Sequence, residues 1–170
     1  MPRPDDADIG ALIERLTAEG VAFIVVGGAA AALHGAPLPT RDLDVVPECS
    51  ADNLDRLAGA LVRLDAIYRE PGARQLRPTR AQLESRGQLL LRTSLGPLDV
   101  LLRLHGGEDY GALFPDTIRA AGAGLVVRLL DLPRLIAIKT TAGRAKDRMA
   151  VPLLLDLLRA REASESKGRK

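Results

Sequence analysis

A chain of 170 residues with 46% apolar residues and mean hydropathy near zero is the size of one domain able to bury a core. Aromatic residues make up only 2%, so that core must be built from Leu, Val, Ile and Ala. No run reaches the roughly 18 apolar residues of a membrane helix, and a formal net charge of +2 is smaller than a dedicated nucleic-acid-binding domain usually carries.

The start, Met1 to Asp6, is polar and acidic and does not read as a signal peptide. The single cysteine, Cys49, has no partner for an internal disulfide, which fits a reducing cytoplasm. Asp8 to Glu19 predicts a first helix, with Ile9, Leu12, Ile13 and Leu16 on one stripe and Gly20 as its stop. Phe23 to Val26 is an apolar run that predicts a short buried strand. It ends at Gly27-Gly28, and Ala29 to Leu33 reads as helical. A loop with Pro37 and Pro39 leads to a second predicted strand, Thr40 to Val46. Ser50 or Asp52 caps a helix from Asn53 to Leu64.

Ala66 to Gln82 is hard to read beyond a strand around Tyr68. Arg69, Arg74, Arg77, Arg80 and Arg86 form a loose basic belt, read either as solvated surface or as a surface steering phosphates or an acceptor. Gln88 to Thr93 and Leu98 to Leu104, split by Ser94-Leu95-Gly96-Pro97, predict a hairpin. A short helix is expected over Pro115 to Ala121, and a strand over Leu125 to Leu130. Asp131 caps a helix that runs to Ala142, and Gly143 separates it from a last helix ending near Glu162. Residues 1–124 are expected to form a core, 125–163 a C-terminal strand and helical lobe closing a cleft, and 164–170 a disordered tail.

The chemistry concentrates between Phe23 and Val46. On a strand, Asp42 and Asp44 share one face while Leu43 and Val45 take the other. Carboxylates so placed repel each other unless a cation sits between them. Mg²⁺ favours oxygen ligands, usually one or two carboxylates plus substrate phosphates. Upstream, Gly27 and Gly28 have no Cβ to keep backbone from an anion, and the N–H groups of the following helix can face it. Thr40 lies on the aspartate face and is a candidate phosphate contact. Arg41 points away on an ideal strand but can swing toward a nucleotide at a strand start. His34 reads first as a capping or packing residue. No zinc cluster, Walker A lysine or dinucleotide-binding glycine motif competes with this reading.

Gly27-Gly28, thirteen residues, then Asp42-Leu43-Asp44 resembles the signature of the DNA polymerase β-type nucleotidyltransferase superfamily. The short form, with His34-Gly35 and Thr40 before the aspartates, is similar to the minimal nucleotidyltransferases, above all the AbiEii/MenT-like toxin enzymes. The resemblance implies an α/β (α+β) fold: a small mixed β-sheet flanked by helices, with a C-terminal helical lobe. It implies Mg²⁺ or Mn²⁺ held by Asp42, Asp44 and a third carboxylate on a neighbouring strand, which Asp99 matches in type and order. Lys139-x-x-Ala142-x-Arg144-x-Lys146-Asp147 resembles the family's distal motif, in which the lysine approaches the triphosphate. Where family members often carry a further Asp, this chain has Ala150.

The implied reaction moves NMP from an NTP to an acceptor hydroxyl, with Asp42, Asp44, Asp99 and Lys139 as catalytic residues. Gly27, Gly28, Thr40, Arg41, Lys139, Arg144, Lys146 and Asp147 would bind the nucleotide. The implied acceptor is RNA, in particular the tRNA 3′ end, with the protein acting as a toxin neutralised by a separate antitoxin. Transfer to a protein or small molecule such as an antibiotic, and an inactive binding subunit, are the alternative expectations.

Overall fold

Phe23–Val26 forms strand β1, and all four of its side chains are buried. A strand covered on both faces has no need of alternating polarity, which is why an unbroken apolar run suits this position. The computed structural model describes residues 5–70, 75–85, 87–122 and 124–168. The remaining strands are β2 (Leu43–Pro47), β3 (Ile67–Tyr68), β4 (Gln88–Thr93), β5 (Gly96–Leu101), β6 (Thr117–Gly122) and β7 (Leu125–Leu130). Among the described residues they make one seven-stranded sheet in the order β3-β4-β5-β2-β1-β7-β6. β1 pairs antiparallel with β2 and parallel with β7, and β2 pairs parallel with β5. The mixed sheet flanked by helices is the architecture expected from the sequence.

The helices are α1 (Ile9–Ala18), α2 (Gly27–Leu33), α3 (Ala51–Arg63), α4 (Gln82–Ser85), α5 (Tyr110–Leu113), α6 (Leu132–Ala142) and α7 (Ala145–Gly168). Their ends follow the predicted chemistry. Asp8, Ser50 and Asp131 accept backbone N–H groups of α1, α3 and α6, and Gly143 closes α6 in the left-handed region at φ 60°. No helix among the described residues is long and apolar enough to cross a membrane.

Four expectations are corrected. β2 begins at Leu43, not Thr40, because the Thr40 hydroxyl donates to the Asp42 carbonyl (3.0 Å) and holds a local turn there. β5 ends at Leu101, short of the expected Leu104, and the chain turns there, with the Leu104 N–H donating to the Glu108 carbonyl (2.8 Å). The helix expected over Pro115 to Ala121 is instead a 3₁₀ turn, Phe114–Asp116, followed by β6. Pairing along the whole of β7 outweighs the helix preference of Ala120 and Ala121. α7 continues to Gly168, so residues 164–168 are helical rather than a disordered tail. Ala160, Ala163, Glu165 and Lys167 are good helix formers, and Ser164 and Ser166 bond back to Ala160 and Glu162. The division drawn between 124 and 125 falls inside the β6–β7 hairpin.

Two polar ties fix this frame. Buried His34 caps α2, and its Nε2–H donates to the Leu130 carbonyl (2.7 Å). Arg161 of α7 donates to His34 Nδ1 (3.1 Å) and to its carbonyl (2.8 Å), binding the last helix to the body. Burial, reinforced by the Arg161 charge, holds the His34 pKa below its usual value. Asn53 is fully buried, accepts from the Ala22 N–H (2.7 Å) and donates to the carbonyls of Ala22 (2.9 Å) and Glu48 (2.7 Å). It therefore joins the chain entering β1 to the chain leaving β2. Asn53→Ala should cost about 3 kcal/mol in urea unfolding, because it leaves the Ala22 N–H and the Ala22 and Glu48 carbonyls without their side-chain partner at once. A loss below about 0.5 kcal/mol, the range of ordinary surface changes, would contradict that role.

Candidate active site

Val26, the last residue of β1, lies opposite Asp44 in the β1–β2 ladder, and the chain passes directly into α2 at Gly27. Gly27 has φ 62°, and a Cβ there would stand 2.2 Å from Asp44 Oδ2. Both backbone conformation and space demand glycine. At Gly28 a Cβ would stand 2.9 Å from Thr40 Oγ1. The glycine pair thus lets the aspartate loop close onto the start of α2, and the group that approaches Gly27 most closely is the carboxylate of Asp44.

Parallel pairing sets Asp44 directly opposite Asp99, and Asp42 precedes β2 by one residue. Oxygens of Asp42, Asp44 and Asp99 lie within 4.8 Å of one another. Asp99 is buried, and the other two are half-buried. Burial, then the neighbouring charges of Asp42 and Asp99, push Asp44 up to about 7, with Lys146 and Lys139 opposing. Burial pushes Asp99 up to about 6 against the pull of Arg69, whose Nη2 donates to Asp99 Oδ1. Three hard oxygen donors, their mutual repulsion only partly offset by Arg69, Lys139 and Lys146, are a donor set that fits a hard divalent cation.

The aspartates line a cleft of about 870 Å³. Its far wall comes from α6 and the turn into α7 and carries Lys139, Arg144 and Lys146. Asp147 is fully buried behind them; it receives Lys139 Nζ (3.2 Å) and Arg144 Nε (2.7 Å). Burial alone would raise the Asp147 pKa, but the hydrogen bonds from Arg144 and Lys139 outweigh it and hold the group below the usual value.

Of the residues expected to bind nucleotide, the cleft brings together Gly27, Gly28, Lys139, Arg144 and Lys146. Thr40, Arg41 and Asp147 do not line it: Thr40 supports the aspartate loop, Asp147 anchors Lys139, and Arg41 is exposed with its carbonyl accepting from Ala7. The basic belt disperses. Arg69 reaches Asp99, whereas Arg77 and Arg80 pair at the surface with Asp65 and with Asp55 and Glu84. Arg74 and Arg86 lie outside the described residues. The remaining wall, including Gln88, Leu90, Leu101, Arg103 and His105, belongs to no motif of the sequence. Period-two spacing from Asp99 through Leu101 to Arg103 is the signal that could have found part of it.

No protein-family model matches the chain, and no curated protein matches it by sequence. Solved structures do. A candidate nucleotidyltransferase of Thermotoga maritima aligns at TM-score 0.52 and 16% identity over 86% of this chain and 89% of its own. The lincosamide antibiotic adenylyltransferase LnuA, solved with lincomycin, aligns at TM-score 0.61 and 10% identity over 90% and 99%. The antibiotic-resistance factor ANT(2″)-Ia aligns at TM-score 0.53 and 16% identity over 94% and 95%. The chain shares the nucleotidyltransferase fold.

The raised carboxylates fix the sign of a pH effect. Unfolded aspartates lose their protons near pH 4, while folded Asp99 and Asp44 retain theirs to about 6 and about 7. The folded state binds more protons between those limits, so metal-free stability should fall as pH rises from about 4 to about 7. Asp147 is shifted the other way, and its contribution is lost only as pH drops below that range. Asp44→Asn should flatten the slope, and Mg²⁺ should raise Tm more at about pH 8 than at about pH 5.5. Equal Mg²⁺ effects at both pH values, or an unchanged slope in the variant, would contradict the assignment.

Proposed function

We propose that this protein transfers a nucleotidyl group from an NTP to an acceptor hydroxyl, with divalent cations held by Asp42, Asp44 and Asp99. The observation that carries the reading is the three-aspartate cluster facing Lys139, Arg144 and Lys146 across a single cleft. Bound Mg²⁺ or Mn²⁺ would neutralise the carboxylates and polarise the α-phosphate. Lys139, fixed by buried Asp147, meets the β- and γ-phosphates, and Arg144 and Lys146 add charge at the same wall. Gly27 and Gly28 line the same cleft beside Asp44. The acceptor oxygen bonds to the α-phosphorus, the bond to the β-phosphate oxygen breaks, and pyrophosphate leaves. Asp99, the carboxylate on the strand beside Asp44, would take the acceptor's proton.

For the acceptor we favour RNA, particularly a tRNA 3′ end, with the protein acting as a toxin held in check by a separate antitoxin. The lining supports an anionic partner: among the described residues its acidic groups are the three aspartates, and its other charged side chains are Arg103, Lys139, Arg144 and Lys146. A second reading, transfer to an antibiotic hydroxyl, is favoured by the likeness to LnuA and by apolar lining at Leu90, Leu101, Leu104, Leu135 and Ile138. A polycationic antibiotic fits this wall poorly, because among the described residues the lining offers no acid beyond the three aspartates.

Incubation with each α-³²P-labelled NTP, Mg²⁺, and tRNA, protein extract or antibiotic as acceptor tests the assignment. Label should enter RNA, and Asp44→Asn or Asp99→Asn should lower transfer at least ~100-fold. Label in a lincosamide instead would establish the second reading. Transfer undiminished in Asp42→Ala or Asp44→Ala would overturn the proposed site. Growth of bacteria unaffected by expression of the active enzyme would count against the toxin role.

A further inference from the structure

A row of residues crosses the sheet at the level of the site. Val26 faces Asp44, Asp44 faces Asp99, and Asp99 faces Leu90 in successive ladders. The Arg69 N–H, one residue past the end of β3, donates to the Leu90 carbonyl (3.0 Å) and extends the row by one more strand. Directly opposed residues present their side chains on the same face. Arg69 therefore reaches across β4 and ends on Asp99 Oδ1. This is the one ion pair made by the three aspartates among the described residues.

Two further facts separate Arg69 from the substrate-facing cations. It does not line the cleft, whereas Asp99 does. Its base is also held: Tyr68, its neighbour, bonds through its N–H to the Leu76 carbonyl (2.9 Å) and through its hydroxyl to Gln82 Oε1 (2.8 Å). The guanidinium thus approaches the carboxylate from the sheet edge and engages one oxygen. The cleft side belongs to Asp42 and Asp44. A hydrogen bond from behind is the usual means of fixing a ligating carboxylate, and losing such a partner typically costs 10–100-fold in metal affinity.

We infer that Arg69 is a positioning residue: it clamps one oxygen of Asp99 so that the carboxylate is oriented toward Asp42 and Asp44 as a divalent-cation ligand. This rests on the proposed metal site and goes beyond it, since it assigns the orientation of the third ligand to a residue that does not line the cleft. Arginine suits the task because its planar fork fixes direction as well as charge, which a lysine ammonium does not.

The test is Mn²⁺ binding to the full chain, followed by electron paramagnetic resonance, with and without a non-hydrolysable NTP analogue. Arg69→Met should weaken the Asp99-dependent Mn²⁺ site about 10- to 100-fold, matching the site lost in Asp99→Asn. Arg69→Lys should recover only part of the affinity. If Arg69→Met does not fold, Arg69→Lys still decides, since wild-type affinity in that variant overturns the directional role. Unchanged or tighter Mn²⁺ binding in folded Arg69→Met likewise overturns it while leaving the metal site intact. Absence of Mn²⁺ binding in the wild-type chain would overturn both the metal site and this inference.

Discussion

Mutual repulsion among three carboxylates, two of them on adjacent parallel strands, is the constraint to which this structure answers. Antiparallel pairing of β2 with β1 and parallel pairing with β5 put Asp44 at the end of β1 and directly across from Asp99. The local turn made by Thr40 then brings Asp42 alongside. Such a cluster is costly in a protein interior, and the cost is visible in Asp44 and Asp99, both displaced toward the protonated form chiefly by burial. A fold selected for stability alone has no reason to assemble it. Glycine at position 27 completes the picture, since any side chain there would occupy the volume of the Asp44 carboxylate.

Opposite this negative wall the chain supplies positive charge by a different device. Lys139 sits on α6, buried except for its access to the cleft, and is held by Asp147 from the first turn of α7. Asp147 is buried without residue, yet it retains its charge because two cations donate to it. Removing one member of such a pair leaves an uncompensated buried charge, commonly worth about 3–5 kcal/mol. The same pair is therefore structural and electrostatic together. The far end of α7 is secured independently through Arg161 and His34, and His34 itself caps the helix that starts at Gly27. The two walls of the cleft are thus tied to a common element.

Much of this was legible in the sequence because the signals were local. The apolar run of β1, the glycine pair, the Asp-x-Asp spacing and the caps at Asp8, Ser50 and Asp131 each depend on neighbours a few residues away. The third aspartate was found because an acidic residue in an apolar strand needs a reason. What escaped notice depends on long-range pairing. β6 looked helical because only its partner β7 makes it a strand. Arg69 looked like one of several surface arginines; its distinction comes from lying beside Leu90, which lies beside Asp99. Thr40 and Arg41 precede β2, which starts at Leu43, so strand alternation does not decide which way their side chains turn.

The likeness to solved nucleotidyltransferases is one of fold, at 16% identity or lower, so the chemistry must stand on this chain's own residues. Asp42, Asp44 and Asp99 are the residues proposed to ligate a divalent cation beside a triphosphate. The most direct measurement is anomalous diffraction from crystals grown with Mn²⁺ and a non-hydrolysable NTP. The account predicts a manganese peak within ligand distance of all three carboxylates, with the triphosphate extending toward Lys139. A cleft that takes up nucleotide with no manganese between the aspartates would contradict it.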